Sequence, residues 1–217
     1  MALATYNDFL AEVPAYMGRT DALMLARFPT FMQAAEARIY NGYGMEGDPL
    51  YSEALRCALM EVTGTVAVAA GSGALPADYL AQRALYIAGT LDQPAFEPAQ
   101  RFLGETLNAG FTQPSYYTIV GQTIRVSGNW TGSLSLVYFK KFPDVTAAAQ
   151  THALVTAYPM IWLHALLLEA NEWSRNDAGA ARYIGKLRAN IEAVNGVATE
   201  QRYGGPSQMT MRIDPIG

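Results

Sequence analysis

Apolar positions near the start of the chain recur at steps of three and four, the spacing of a helix with one buried face. Tyr6, Phe9, Leu10 and Val13 form such a set, and Thr5 or Asn7 could supply its N-cap. A break at Gly18-Arg19 and a second cap signal at Thr20-Asp21 precede a stripe of Phe28, Phe31, Met32, Ala35 and Ile39. Pro29 lacks an N–H and clashes with the turn before it. The pattern therefore predicts a short turn from Asp21 and a long helix beginning near Pro29, closed by Asn41-Gly42.

The period changes in the middle of the chain. Thr63 to Ala69 is short and β-branched, and Gly71-Ser72-Gly73 follows it. Tyr116 to Val120, Gln122 to Val126 and Ser133 to Phe139 alternate apolar with polar residues. Gly121 and the run Gly128-Asn129-Trp130-Thr131-Gly132 separate them, which predicts a β-meander with two hairpin turns. Ala99 to Asn108 reads as a short helix or a loop.

Helical spacing returns in the last third. His152 to Trp173 is apolar on most sides, as for a helix in the middle of a bundle or at a subunit interface. Pro159 should start or kink it. Asp177 is the expected cap of a second helix with the stripe Ala180, Ile184, Leu187, Ile191 and Val194. After Glu200 the chain loses its periodicity, so the tail is either loose or docked on a partner. The expected fold is α+β and mainly α. A helical bundle from both chain ends (1–60 and 150–200) carries an inserted antiparallel β-rich module (61–149), and an extended C-terminal arm (201–217) follows.

Composition narrows the function. The chain has 217 residues with 15 Lys+Arg against 19 Asp+Glu, a formal charge of −4. Charged residues make up 16 % and hydrophobic ones 51 %, against roughly 25 % charged in a typical soluble domain. That excludes a disordered chain and a basic nucleic-acid reader. So little charge also suggests that other subunits cover some apolar surface. Cys57 is the sole cysteine, so an intrachain disulfide or a cysteine metal cluster is impossible, and a reducing compartment fits best. No signal peptide is expected from residues 1–17, and Leu154 to Leu168 falls short of the ~20 residues of a membrane span.

The candidate chemistry is thin. Gly42-Tyr43-Gly44-Met45-Glu46-Gly47 matches G-x-G-x-x-G, but a helix precedes it and Asp48-Pro49 follows, so it reads as a loop and not a dinucleotide site. His152 and His164 have no carboxylate or second histidine at the spacing of a chelate on one helix face. No catalytic constellation, metal site or cofactor site is expected. A small cytosolic hydrolase using His152 or His164 is the alternative from the enzyme class. Tyr116, Tyr117, Tyr138, Phe139 and Phe142 cluster beside Lys140-Lys141, as sheet core or as a contact surface.

Several segments taken in order carry a resemblance. They are Arg19-Thr20-Asp21, Phe31 to Ile39, Leu75-Pro76-Ala77-Asp78-Tyr79-Leu80 before Arg83, Tyr117 to Gly121, Leu136 to Phe139, and Pro159 to Ala170. Together, over residues 5–200, they resemble the head-to-tail adaptor (connector) proteins of tailed bacteriophages, especially short-tailed ones. The resemblance implies a structural virion protein forming a homo-oligomeric ring, usually of twelve copies. That ring would lie beneath the portal protein, extend the DNA channel and dock the tail nozzle. DNA would pass without sequence-specific binding, and no membrane is involved. A different connector, such as a stopper or tail-completion protein, is the other alternative. The expected interface residues are Arg202, Tyr203, Met209, Met211 and Arg212 on the arm, with Tyr138, Lys140 and Lys141 on the β module.

Overall fold

The computed structural model describes residues 3–105 and 113–203. Among these the chain is 44 % helical and 23 % strand, an α+β protein with six helices and two small sheets. It divides into two compact units, residues 60–142 and the two flanking parts.

The flanking parts form a helical unit. Helix α1 (Tyr6–Met17) starts at a capping box, in which Thr5 accepts from the Asp8 amide and the Asp8 carboxylate accepts from the Thr5 amide. Helix α2 (Ala22–Asn41) runs unbroken through Pro29, contrary to the expected start there. Pro29 lies on the exposed side, so the carbonyl it leaves free can turn to solvent, while buried Met24 and Phe28 anchor the turns around it. The region expected as one helix from His152 is two, α4 (Ala153–Ala157) and α5 (Pro159–Trp173). Pro159 supplies no N–H to continue α4 and sits where a helix start tolerates it. Helix α6 (Asp177–Tyr203) follows, with Asn176 as its cap where Asp177 was expected. The Asn176 Oδ1 accepts from the Gly179 amide.

Helix α5 packs against α1, α2, α4 and α6, and every residue from Ile161 to Leu168 is buried. Its all-round apolarity is therefore satisfied within the chain and needs no second subunit. Burying those side chains stabilises the unit by roughly 1.5–3 kcal/mol for each large one.

The unit 60–142 is built from β1 (Glu61–Val68), β2 (Ser72–Ala74), β3 (Tyr79–Ile87), β4 (Ala95–Phe96), β5 (Tyr116–Val120), β6 (Thr123–Val126) and β7 (Gly132–Lys140), with a short helix α3 (Ala99–Glu105). One sheet has the order β1-β7-β3, all antiparallel; the other is β2-β6-β5-β4, with β4 parallel to β5. The meander expectation holds for the β5–β6 hairpin and fails at the next turn. Strand β7 crosses to the other sheet instead of pairing with β6. Length explains the choice: nine residues of β7 match eight of β1 and nine of β3, whereas β6 offers four. Val66, Val68, Leu85, Leu134, Leu136 and Tyr138 from one sheet share a core with Tyr117, Ile124 and Val126 from the other. The turn after β1 is tied to the β6–β7 connection, since the Gly71 amide donates to Trp130 O and Gly71 O accepts from the Val126 amide. Gly71 has φ +76°, and a Cβ there would lie 2.5 Å from Gly128 O, so only glycine fits.

Candidate functional site

The most elaborate polar arrangement is in the helical unit, where three arginines hold the connection between α2 and residue 57. Arg38 is 5 % exposed. Its Nε donates to Glu169 Oε1 at 2.8 Å, its Nη2 to Glu172 Oε2 at 3.3 Å and its Nη1 to Leu50 O at 3.1 Å, and it stacks on Tyr43 at 4.1 Å. Arg188 donates to Asp48 O, Pro49 O and Tyr51 O, and Arg56 to Tyr40 O and Leu55 O. Asn195 closes the set, accepting from the Arg56 amide and donating to Ala54 O. A loop with no ladder of its own thus has its carbonyls satisfied by side chains. Gly42 is the pivot: φ is +73°, and a Cβ would stand 2.7 Å from Ser52 O. Burial and the neighbouring Glu169 push the Glu172 carboxyl up, and Arg38 opposes them.

The held loop projects Met45, 83 % exposed, and borders an open cleft of about 360 Å³ with Arg188, Ile191 and Glu192. The glycine motif Gly42–Gly47 lies here. It follows a helix, opens none, and is joined to Ser52 by a bridge from Tyr43. This is the geometry of a fixed protrusion, without the helix N-terminus that a pyrophosphate needs.

The two histidines are occupied in structural roles. His152 Nδ1 accepts from the Val155 amide at 3.3 Å to cap α4, and its ring meets Trp162 edge-on at 5.4 Å. Burial pulls its pKa down to about 4 against the charge of Asp144, which keeps the imidazole neutral and able to accept. His164 Nδ1 meets Asn190 Nδ2 at 3.0 Å, and burial, then Lys186, lower its pKa. Among the described residues no group of three His, Cys, Asp or Glu could hold a metal.

The expected interface residues scatter. Tyr138 is 4 % exposed, in the core between the sheets, with its hydroxyl donating to Asp78 Oδ1 at 2.9 Å. Burial, then the bond to Asp78 and its charge, pushes its pKa up to about 12. Lys140 ends β7 with its ammonium 4.6 Å from the centre of the Phe142 ring, and Lys141 is exposed. Arg202 and Tyr203 lie on the last turn of α6 and not in an extended arm. Met209, Met211 and Arg212 fall outside the described residues.

A model of the SU10 adaptor protein family matches residues 4–212. The chain belongs to this family. No curated protein matches it. As an SU10 adaptor family member it is a phage adaptor-type structural protein, and its surfaces are to be read for assembly before catalysis. What the sequence reasoning missed, therefore, are the groups that shape those surfaces. Arg38 was visible as an arginine three residues after Ala35 and next to Ile39 on the apolar face of α2, a position that demands a partner. Arg56, Arg188 and Asn195 gave no such signal, because their partners are distant carbonyls.

Proposed function

We propose that the chain is the head-to-tail adaptor that forms a ring beneath the portal, extends the DNA channel and docks the tail nozzle. The observation that carries this reading is the family match across almost the whole chain. In this reading the helical bundle from both chain ends is the body of each subunit, the inserted β module meets the tail or a neighbour, and the arm that follows α6 reaches the portal. Charge placement supports a channel wall that DNA slides past. Residues 60–142 hold five acidic and five basic residues, so the whole −4 belongs to the helical unit and its tail. A net basic wall would hold phosphates by releasing counterions. Among the described residues no helix is long and apolar enough to cross a membrane. The protein acts in the virion after assembly in the host cytoplasm.

Electron microscopy of the full chain mixed with its portal ring tests the proposal. A further closed ring on one face of the portal is expected. Portal rings that remain bare at saturating protein would overturn it. Removing residues after Gln201 should abolish attachment, and attachment at the wild-type level would remove the arm from the account.

A further inference from the structure

The loop after α2 is held in place from several sides. Gly42 turns the chain at φ +73°, and Arg38, Arg56, Arg188 and Asn195 bond to carbonyls between Tyr40 and Leu55. Yet Met45 at its tip is 83 % exposed, so none of this closure serves to bury it. A methionine on a fixed backbone suits an anchor. Its unbranched thioether adapts to an irregular hole, and the held loop loses little freedom on docking.

The same helical unit carries a hole on the flank of α2. Its floor is Met32, Glu36 and Val145, all buried, and its rim is Pro29, Thr30, Gln33 and Thr146, all exposed. The cleft measures about 170 Å³, below the ~300–1,000 Å³ of small-molecule sites, which is room for one side chain. On the floor, Glu36 Oε1 already accepts from the Val145 amide. Knob and hole are separate patches. From Gln33 to Asn41, the end of α2, the helix rises about 12 Å at ~1.5 Å per residue, and Met45 lies beyond that end. A chain does not fill its own hole.

Charge selects this hole over the larger cleft beside the loop. Residues 42–53 hold Glu46, Asp48 and Glu53 and no Lys, Arg or His. The larger cleft is lined by those three acids and Glu192, and its Arg188 is engaged by three carbonyls. A second acidic loop would be repelled there. By contrast, Arg27 stands one turn before Thr30 at the rim of the hole, and it is the sole charge among the exposed residues from Ala22 to Ala37.

We propose that Met45 of one copy seats in the hole on the flank of α2 in a neighbouring copy, with its acidic loop beside Arg27. Knob and hole differ and both lie on one compact unit, so the contact is head-to-tail at a fixed angle and its repetition closes a ring. The inference rests on the ring reading above and supplies its subunit contact.

The test uses the full chain assembled on its portal. Met45 lies outside the core, so Met45→Leu and Met45→Glu should melt as wild type does. Met45→Leu should fill the portal as wild type does, whereas Met45→Glu should need about tenfold or more protein. A short bismaleimide should link rings mixed from Met45→Cys and Gln33→Cys chains into dimers with one chain of each kind. Rings of either kind alone should give none, since Cys57 is buried. Met45→Glu filling the portal at wild-type concentration, or mixed rings without the mixed dimer, would overturn this contact and leave the ring standing. Failure of wild type to form any ring would overturn both.

Discussion

In the helical unit, charge is taken inside and answered there: Glu36 accepts from the buried Val145 amide, and Arg38 bridges Glu169, Glu172 and the Leu50 carbonyl. Among the described residues of the β unit the buried ones are apolar apart from Thr118 and Ser127, together with the Tyr117 and Tyr138 hydroxyls. The helical unit surrounds its most apolar element, α5, with its own helices, whereas the β unit shares one core between two sheets. One unit is closed by specific polar contacts; the other is held by an apolar core shared between its two sheets. The contrast separates a part that fixes a loop in place with buried polar groups from a part held together by apolar packing between two sheets.

Four measurements would break or sharpen that contrast. Arg38→Met leaves two half-buried carboxylates without their cation and removes one of the loop's tethers, the bond to Leu50 O. Urea unfolding should register a loss of about 3–5 kcal/mol; a loss under ~1 kcal/mol would mean that the buried charges are not the closure described. Leu136→Ala opens a cavity in the β core and should cost about 2–5 kcal/mol. Amide exchange should place that loss in residues 60–142, and an equal loss in α5 would deny the two units their separate cores.

His152 comes next. Its folded pKa of about 4 lies below the ordinary value of 6.5, so the folded state resists protonation. Its contribution is intact above pH 6.5 and fades as pH falls toward 4, on the order of 2–3 kcal/mol in all. Replacing it with Asn, which can still cap α4, should flatten the stability profile across that window. An unchanged profile would assign the acid sensitivity elsewhere. Tyr138→Phe should cost least, about 0.5–1.5 kcal/mol for one hydroxyl bond to Asp78. The Tyr138 phenol, raised to about 12, supplies stability that is full below pH 10 and lost as pH rises toward 12. The Phe variant should lose that alkaline slope.

Much of the helical unit was legible because its signals are local. The capping box at Thr5 and the stripe of α2 need only neighbouring residues. Pro29 misled because a single missing bond on an exposed face does not stop a helix anchored by Met24 and Phe28. The β unit was less legible, since alternation shows that a strand exists without naming its partner. Strand β7 reads the same whether it pairs with β6 or lies between β1 and β3. Tyr138 could have been read correctly: it shares parity with Leu134 and Leu136 and so faces the core. The tethers from Arg188 and Arg56 were hidden, because a carbonyl at Pro49 or Tyr40 looks like any other in sequence.

The central claim is a closed ring on the portal. The most direct measurement is the native mass of the full chain bound to its portal ring. The account predicts one dominant species carrying a fixed integer number of copies, twelve if the resemblance holds in detail, with no partly filled forms at saturation. A continuous distribution of one, two and three bound copies, with no closed set, would contradict it.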